Sequence, residues 1–214
     1  MSEIETQLAN AIATEDLCRF LSACYYEPTQ AFTEERLFES MTAAAQRLHP
    51  DLAALAQGLG AAFAAQDLQT LLVDYTRLFL GPVNPLAQPY ASFWLTGEKT
   101  LMQDTTQAVL GLYAEGGFDI DEAFQELPDH VAVELEFLYL LNFRIREAAA
   151  AGAEEAAELT RLNALREQFL VQHLATWIEP FTQAVQAGAE CAFYRDVAAL
   201  TALWVRLQNK APIR

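Results

Sequence analysis

Val131-Ala132-Val133-Glu134-Leu135-Glu136-Phe137-Leu138-Tyr139-Leu140-Leu141 is the stretch that decides the fold. At helical spacing, Val131, Val133, Leu135, Phe137, Leu138, Leu140 and Leu141 spread around nearly the whole circumference and leave hardly any polar face. Such a helix is stable only when other helices cover it, so the segment predicts the centre of a helical bundle. Asp129 stands where capping and the helix dipole favour a carboxylate.

Outward from this centre, leucine and alanine dominate, β-branched residues are sparse, and prolines fall mostly between periodic stretches. Ile4, Leu8, Ile12, Leu17 and Leu21 recur near helical spacing, so a first helix is expected at about 3–26, ending ahead of Pro28. Further helices are expected at 32–48, at 51–65, and from an Asp67 cap to Gly81-Pro82. The segment 82–89 carries Pro82, Pro85 and Pro89 and reads as a stiffened surface loop, with Tyr90, Phe93 and Trp94 at its far end. Helix resumes over 97–114, and Gly116-Gly117 stops it. The acidic, punctuated stretch 118–128 reads as a linker, and the last helices are expected at 153–177, 180–187 and 193–209. The expectation is an all-α, single-domain bundle of about nine to eleven helices over 1–214. Residues 1–117 form its N-terminal region and residues 131–214 its C-terminal region, joined by a hinge at 118–130 flanked by Gly117 and containing Pro128.

The chain has 214 residues, and 29 acidic against 13 basic residues give a formal net charge of −16. That field repels nucleic acid and anionic membranes and favours basic ligands. Cys18, Cys24 and Cys191 form no Cys-x-x-Cys pair and leave one thiol over in any disulfide scheme, which fits a reducing compartment. The N-terminus is acidic where an export signal would be basic, and no apolar run approaches the roughly 18 residues of a membrane span. A cytoplasmic protein without membrane insertion is expected.

Enzyme chemistry finds little footing. The serines are Ser2, Ser22, Ser40 and Ser92, with no Gly-x-Ser-x-Gly turn to expose one. Gly97-Glu98-Lys99-Thr100 ends like a phosphate-binding loop but lacks its upstream glycine. No Glu-x-x-His pair precedes His49, His130 or His173, and His130 with Glu134 falls two ligands short of an ordinary metal site, so no metal is expected. What remains is a set of carboxylates and aromatics. Glu126, Asp129 and Glu134 flank the start of the central helix, and Glu98 and Asp104 follow Trp94. Carboxylates grip guanidinium through paired hydrogen bonds, so this patch would suit an arginine-containing peptide. Tyr75, Leu78, Phe79, Tyr90, Phe93 and Trp94 lie on either side of the proline-rich break and can wall an apolar groove, although aromatics at helical spacing are more often core.

Two groups of residues also carry a family resemblance: Asp74-Tyr75-Thr76-Arg77-Leu78-Phe79-Leu80-Gly81-Pro82 continuing to Pro89-Tyr90-Ala91-Ser92-Phe93-Trp94, and Glu126-Leu127-Pro128-Asp129-His130. In order and spacing they resemble the TorD/DmsD/NarJ family of molybdoenzyme maturation chaperones. Tyrosine at 75 and 90 where DmsD-like members often have tryptophan, Ala91 where glycine is usual and Gly97 where arginine is common lean toward a TorD-like or unassigned member.

The resemblance implies a helical cytoplasmic chaperone that is not an enzyme and has no cofactor of its own. Such a protein binds the twin-arginine signal peptide, or the N-terminal region, of an apo molybdopterin oxidoreductase and delays export until the cofactor is inserted. Carried over, the peptide-binding positions are Tyr75, Leu78, Phe79, Pro89, Tyr90, Ser92, Trp94, Glu98, Glu126, Asp129 and His130, with the hinge at Gly117 and Pro128. It also implies a monomer able to form a domain-swapped dimer. The alternatives are an accessory protein that binds a nucleotide or the molybdenum cofactor, and an adaptor that holds the mature enzyme without reading a signal peptide.

Overall fold

The computed structural model describes residues 3–81, 84–95, 104–120 and 126–210. Its regular elements are helices: α1 (Glu3–Cys24), α2 (Ala31–Glu34), α3 (Leu37–Leu48), α4 (Pro50–Ala64), α5 (Leu68–Tyr75), α6 (Ala91–Leu95), α7 (Asp104–Glu115), α8 (Val131–Ala151), α9 (Ala156–Gln168), α10 (Ala175–Gly188) and α11 (Ala192–Lys210). Among the described residues the only extended pairing is an isolated antiparallel bridge between Tyr90 and His130.

α8 is the centre that its sequence requires. Val131, Ala132, Leu135, Leu138 and Leu141 are fully buried. Each buried leucine or valine stabilises the bundle by about 1.5–3 kcal/mol. α1 runs antiparallel along α8, tied at one end by the Ser22 hydroxyl donating to the Ala132 carbonyl (2.8 Å) and at the other by Arg146 on Glu15 (2.9 Å). α9 covers another side of α8, and α11 packs on α4 and α10. One apolar cluster runs from Leu17 to Val205, so both halves of the chain share a core. Trp177, Phe181, Phe193, Tyr194 and Trp204 all belong to it. The α1 stripe packs only in part, for Leu17 and Leu21 are buried whereas Leu8 and Ile12 are exposed.

Several helix limits differ from the sequence expectation. The helix expected at 32–48 breaks at Arg36, whose φ of 55° is left-handed, and α3 restarts after it. The chain expected to end at Trp177 and restart at Pro180 continues as α10 straight through Pro180. A mid-helix proline costs about 3 kcal/mol. The buried neighbours Trp177, Ile178 and Phe181 offset that cost and hold the helix on course. Phe93 and Trp94, expected in a loop, sit in α6.

Two π-turns, 76–80 after α5 and 169–174 between α9 and α10, fall outside the sequence expectation. In the first, the Gly81 N–H donates to the Thr76 carbonyl at 2.6 Å, closing a widened turn. Gly81 has φ 52°, and a Cβ there would stand 2.6 Å from the Pro85 nitrogen, so only glycine fits.

All three cysteines are free and buried. Burial pushes the Cys18 and Cys24 thiols up to about 12 and Cys191 to about 11, which keeps them unreactive. No helix among the described residues is long and apolar enough to cross a membrane.

Candidate functional site

The two motif-bearing stretches meet at the start of α8. The Ala91 N–H donates to the Asp129 carbonyl (2.9 Å) and the Val131 N–H to the Pro89 carbonyl (2.8 Å), fastening residues 89–91 to 129–131. Asp129 then reaches the first turn of α6, where its Oδ2 accepts from the Ser92 N–H at 2.9 Å. Asp129 and Ser92 are fully buried, and Asp129 Oδ1 has no hydrogen-bond partner among the described residues. His130 is the N-cap of α8, its Nδ1 accepting from the Ala132 N–H at 3.1 Å. The imidazole stacks on Tyr26 (centroids 6.0 Å, 17°) and meets Tyr90 edge-on (5.2 Å). Burial drops its pKa to about 4, so it is neutral at physiological pH.

Around this latch lies a surface of phenols and carboxylates. The Tyr90 hydroxyl donates to Glu126 Oε2 at 3.1 Å. Tyr26, Tyr90 and Glu126 are half-buried and Glu136 is exposed. Burial raises the Tyr26, Tyr75 and Tyr90 phenols, and negative charge raises them further: Glu136 and Glu126 at Tyr26, Glu126 and Glu27 at Tyr75, Glu126 at Tyr90. A cation at this face would meet an unneutralised negative field, because none of the described ion pairs gives Glu126 or Glu136 a basic partner.

The sequence-expected binding residues divide into three groups. Tyr90 and Glu126 stand on the surface just described, and Trp94 is half-exposed nearby, its Nε1 donating to the Gln88 carbonyl at 2.7 Å and its ring against Phe181. Tyr75, Leu78 and Phe79 are core, at 6%, 0% and 2% exposure, which corrects their assignment to a groove wall. Pro89, Ser92, Asp129 and His130 are also buried, and what they contact is the chain itself. The physical reason is the latch: the buried carboxylate at 129 is spent on the first turn of α6, and the ring at 130 on capping α8 and packing against Tyr26 and Tyr90. Glu98 lies outside the described residues. At the expected hinge, Pro128 offers its carbonyl to the Tyr113 hydroxyl (2.8 Å) and Gly117 holds a φ of 75°.

Glu134, counted with the surface carboxylates in the sequence, is fully buried. It pairs with His173 Nε2 at 2.7 Å and accepts from the Trp177 indole N–H at 3.1 Å. Burial opposes a charge on His173, but the Glu134 carboxylate more than offsets it and holds the imidazole above its ordinary value. This pair ties the second π-turn and α10 to α8. Among the described residues no group of three or more His, Cys, Asp or Glu is gathered to hold a metal.

Sequence reasoning missed Tyr26 and Glu136. Tyr26 follows α1 at a distance in sequence from the other motif residues, and only the antiparallel packing of α1 on α8 brings it to His130. Glu136 did carry a signal, being one of two acids in an otherwise apolar helix start.

Residues 39–183, more than half of the chain, match the family described as nitrate reductase delta subunit. The chaperone protein TorD of Vibrio parahaemolyticus is 29% identical over 166 residues, which covers 77% of this chain and 74% of that protein. The TorD of Salmonella arizonae is 30% identical over 171 residues, 79% of this chain and 70% of the relative. The crystal structure of a redox enzyme maturation protein from Archaeoglobus fulgidus superposes with a TM-score of 0.53 at 18% identity, covering 92% of this chain and 94% of that one, a likeness of fold. The chain belongs to the nitrate reductase delta subunit family and is a TorD-like maturation chaperone within it.

Proposed function

We propose that this chaperone binds an arginine-bearing segment of its client, the twin-arginine signal peptide or N-terminal region of an apo molybdopterin oxidoreductase, and holds back export until the cofactor is in place. The observation that carries the reading is the face formed by Tyr26, Tyr90, Glu126 and Glu136. It has half-exposed rings, and its carboxylates have no basic partner among the described residues. Guanidinium is the natural guest, since its planar fork both pairs with a carboxylate and lies on an aromatic ring. Lysine would keep the charge and lose the fork. Recognition here needs no bond to be made or broken. The net charge of −16 draws the basic segment in, and the local face sorts arginine from lysine.

The test is calorimetric titration with a peptide carrying an arginine pair followed by an apolar run, beside its lysine-pair counterpart. The expected result is saturable binding that weakens several-fold with lysine. Equal binding of both peptides, or of neither, would overturn the reading. A client stripped of the segment yet retained at full strength would move the role to an adaptor for the mature enzyme.

A further inference from the structure

α8 carries a second feature close to the acid–aromatic face. Val133, Phe137 and Leu140 recur along one side of the helix, and together with Tyr113, Phe118 and Ile120 they floor an open groove of about 220 Å³. Glu136 and Asp119 are its charged lining residues, both exposed and neither with a basic partner among the described ion pairs. The groove is pre-formed. Phe137 packs against Tyr113 (4.6 Å between centroids) and edge-on against Phe118 (5.7 Å). The Arg144 guanidinium secures the outer lip: it bonds the Gly116 carbonyl, pairs with Glu158 at 3.0 Å and lies 5.7 Å from the Phe118 ring. Gly117 permits this approach, because a Cβ there would stand 2.6 Å from Arg144 Nη1.

We infer that this groove is the seat for the apolar side chains that adjoin the arginines of the client segment, with Glu136 holding the guanidinium at the boundary. The inference rests on the function proposed above and says where the apolar half of the segment goes. Three observations support it. Glu136 belongs to both surfaces, since its carboxylate lines the groove and also acts on the Tyr26 phenol. The charge is complementary only to an apolar segment that begins with cations. An acidic or uncharged one would cover two carboxylates without pairing them, which is costly. The volume is below the roughly 300–1,000 Å³ of sites for whole small ligands and fits one or two side chains. The apolar role thus falls to 118–120 and α8, and not to Tyr75, Leu78 and Phe79.

The experiment titrates the full chain with two peptides, an arginine pair followed by leucines and the same peptide with the first two leucines changed to serine. The proteins compared are the unaltered chain, Ile120→Ser, and Leu140→Phe, which fills the groove without adding polarity. Circular dichroism and thermal melting establish that each variant is folded. The unaltered protein should bind the leucine peptide about tenfold more tightly than the serine peptide, the worth of partly burying one side chain. Each variant should lose most of that advantage and bind the serine peptide as the unaltered protein does. If both folded variants keep the full leucine advantage, the groove is overturned while arginine recognition stands. The same holds if they lose affinity for the two peptides equally. If the unaltered protein binds neither peptide, the groove and the proposed function fall together.

Discussion

The stretch Asp74 to Gly81 and the stretch Glu126 to His130 are matched in sequence terms, each mixing acids with aromatics or a histidine beside a proline. The structure uses them differently. Asp74 is 2% exposed and acts inside the bundle, accepting from the Glu190 N–H (3.0 Å) and the Cys191 N–H (2.8 Å) just before α11 and pairing with Arg77 at 2.9 Å. Tyr75, Leu78 and Phe79 follow it into the core around Tyr25, Phe181 and Tyr194. The second stretch is split. Asp129 and His130 turn inward to latch α6 to α8, while Glu126 stays at the surface under the Tyr90 hydroxyl. Residues of one motif therefore need not share one job, and burial separates those that fasten the fold from those available to a partner.

This division can be broken experimentally. The largest effect is expected at Asp74→Ala, which strands the Glu190 and Cys191 N–H groups, leaves Arg77 with Glu190 as its remaining partner (3.0 Å) and should cost about 3 kcal/mol in urea unfolding. Peptide affinity per folded molecule should be unchanged, and a selective loss of binding would place Asp74 with the recognition face. Asp129→Ala removes the buried acceptor for the Ser92 N–H and should cost about 1–3 kcal/mol, since such a cap is worth that much when buried. Sequence reasoning alone would have it contact the peptide. Undiminished stability with lost affinity would restore that view.

His130 sharpens the comparison through pH. Its folded pKa, near 4, lies below the roughly 6.5 of an unfolded histidine, so between those values the unfolded chain binds the extra proton. Stability is then present above about pH 6.5 and is lost as pH falls toward 4, by about 2 kcal/mol at pH 5. His173 acts in the opposite sense: with a raised pKa, its contribution is full below about 6.5 and fades as pH rises through the raised value. Of these two histidines, His130 is therefore the one whose contribution is lost on the acid side of neutrality. His130→Asn, which keeps a capping oxygen but does not titrate there, should flatten the loss between pH 6.5 and 5 in urea titrations. An unchanged slope would assign it to other groups.

The smallest expected change is at Glu126→Gln. A half-exposed carboxylate pairing with guanidinium is worth at most about 1 kcal/mol, so affinity for the arginine peptide should fall up to about fivefold while the melting temperature stays put. A drop in melting temperature as large as that of Asp129→Ala would make Glu126 another structural residue.

How far the sequence could be read follows from the range of its signals. α8 was legible because its apolar residues surround the helix within one local stretch, and the Asp67 cap of α5 was legible because Asp67 Oδ1 and its donor, the Thr70 N–H, lie three residues apart (2.7 Å). The path through Pro180 was not, since tertiary burial of Trp177 and Phe181 overrides a local breaking signal. The π-turns have no periodic signature to read. At the site, Glu126 and Tyr90 could be named from the motif, but their hydrogen bond spans 36 positions, and the inward turn of Asp129 depends on α6 lying against 129–131. Spacing along one chain cannot tell a carboxylate used to fasten two helices from one left open to solvent. Tyr26 reaches the face only through the pairing of α1 with α8, which no local pattern encodes.

The most direct test of the central claim, that arginine is read at the Tyr90–Glu126 face, is a double-mutant cycle by calorimetry. It crosses Glu126→Gln in the full chain with arginine-to-lysine in the peptide. The account predicts that each change alone weakens binding and that the two together cost clearly less than their sum, because both remove the same contact. Strict additivity, with a folded Glu126→Gln protein still preferring arginine by the full margin, would contradict it.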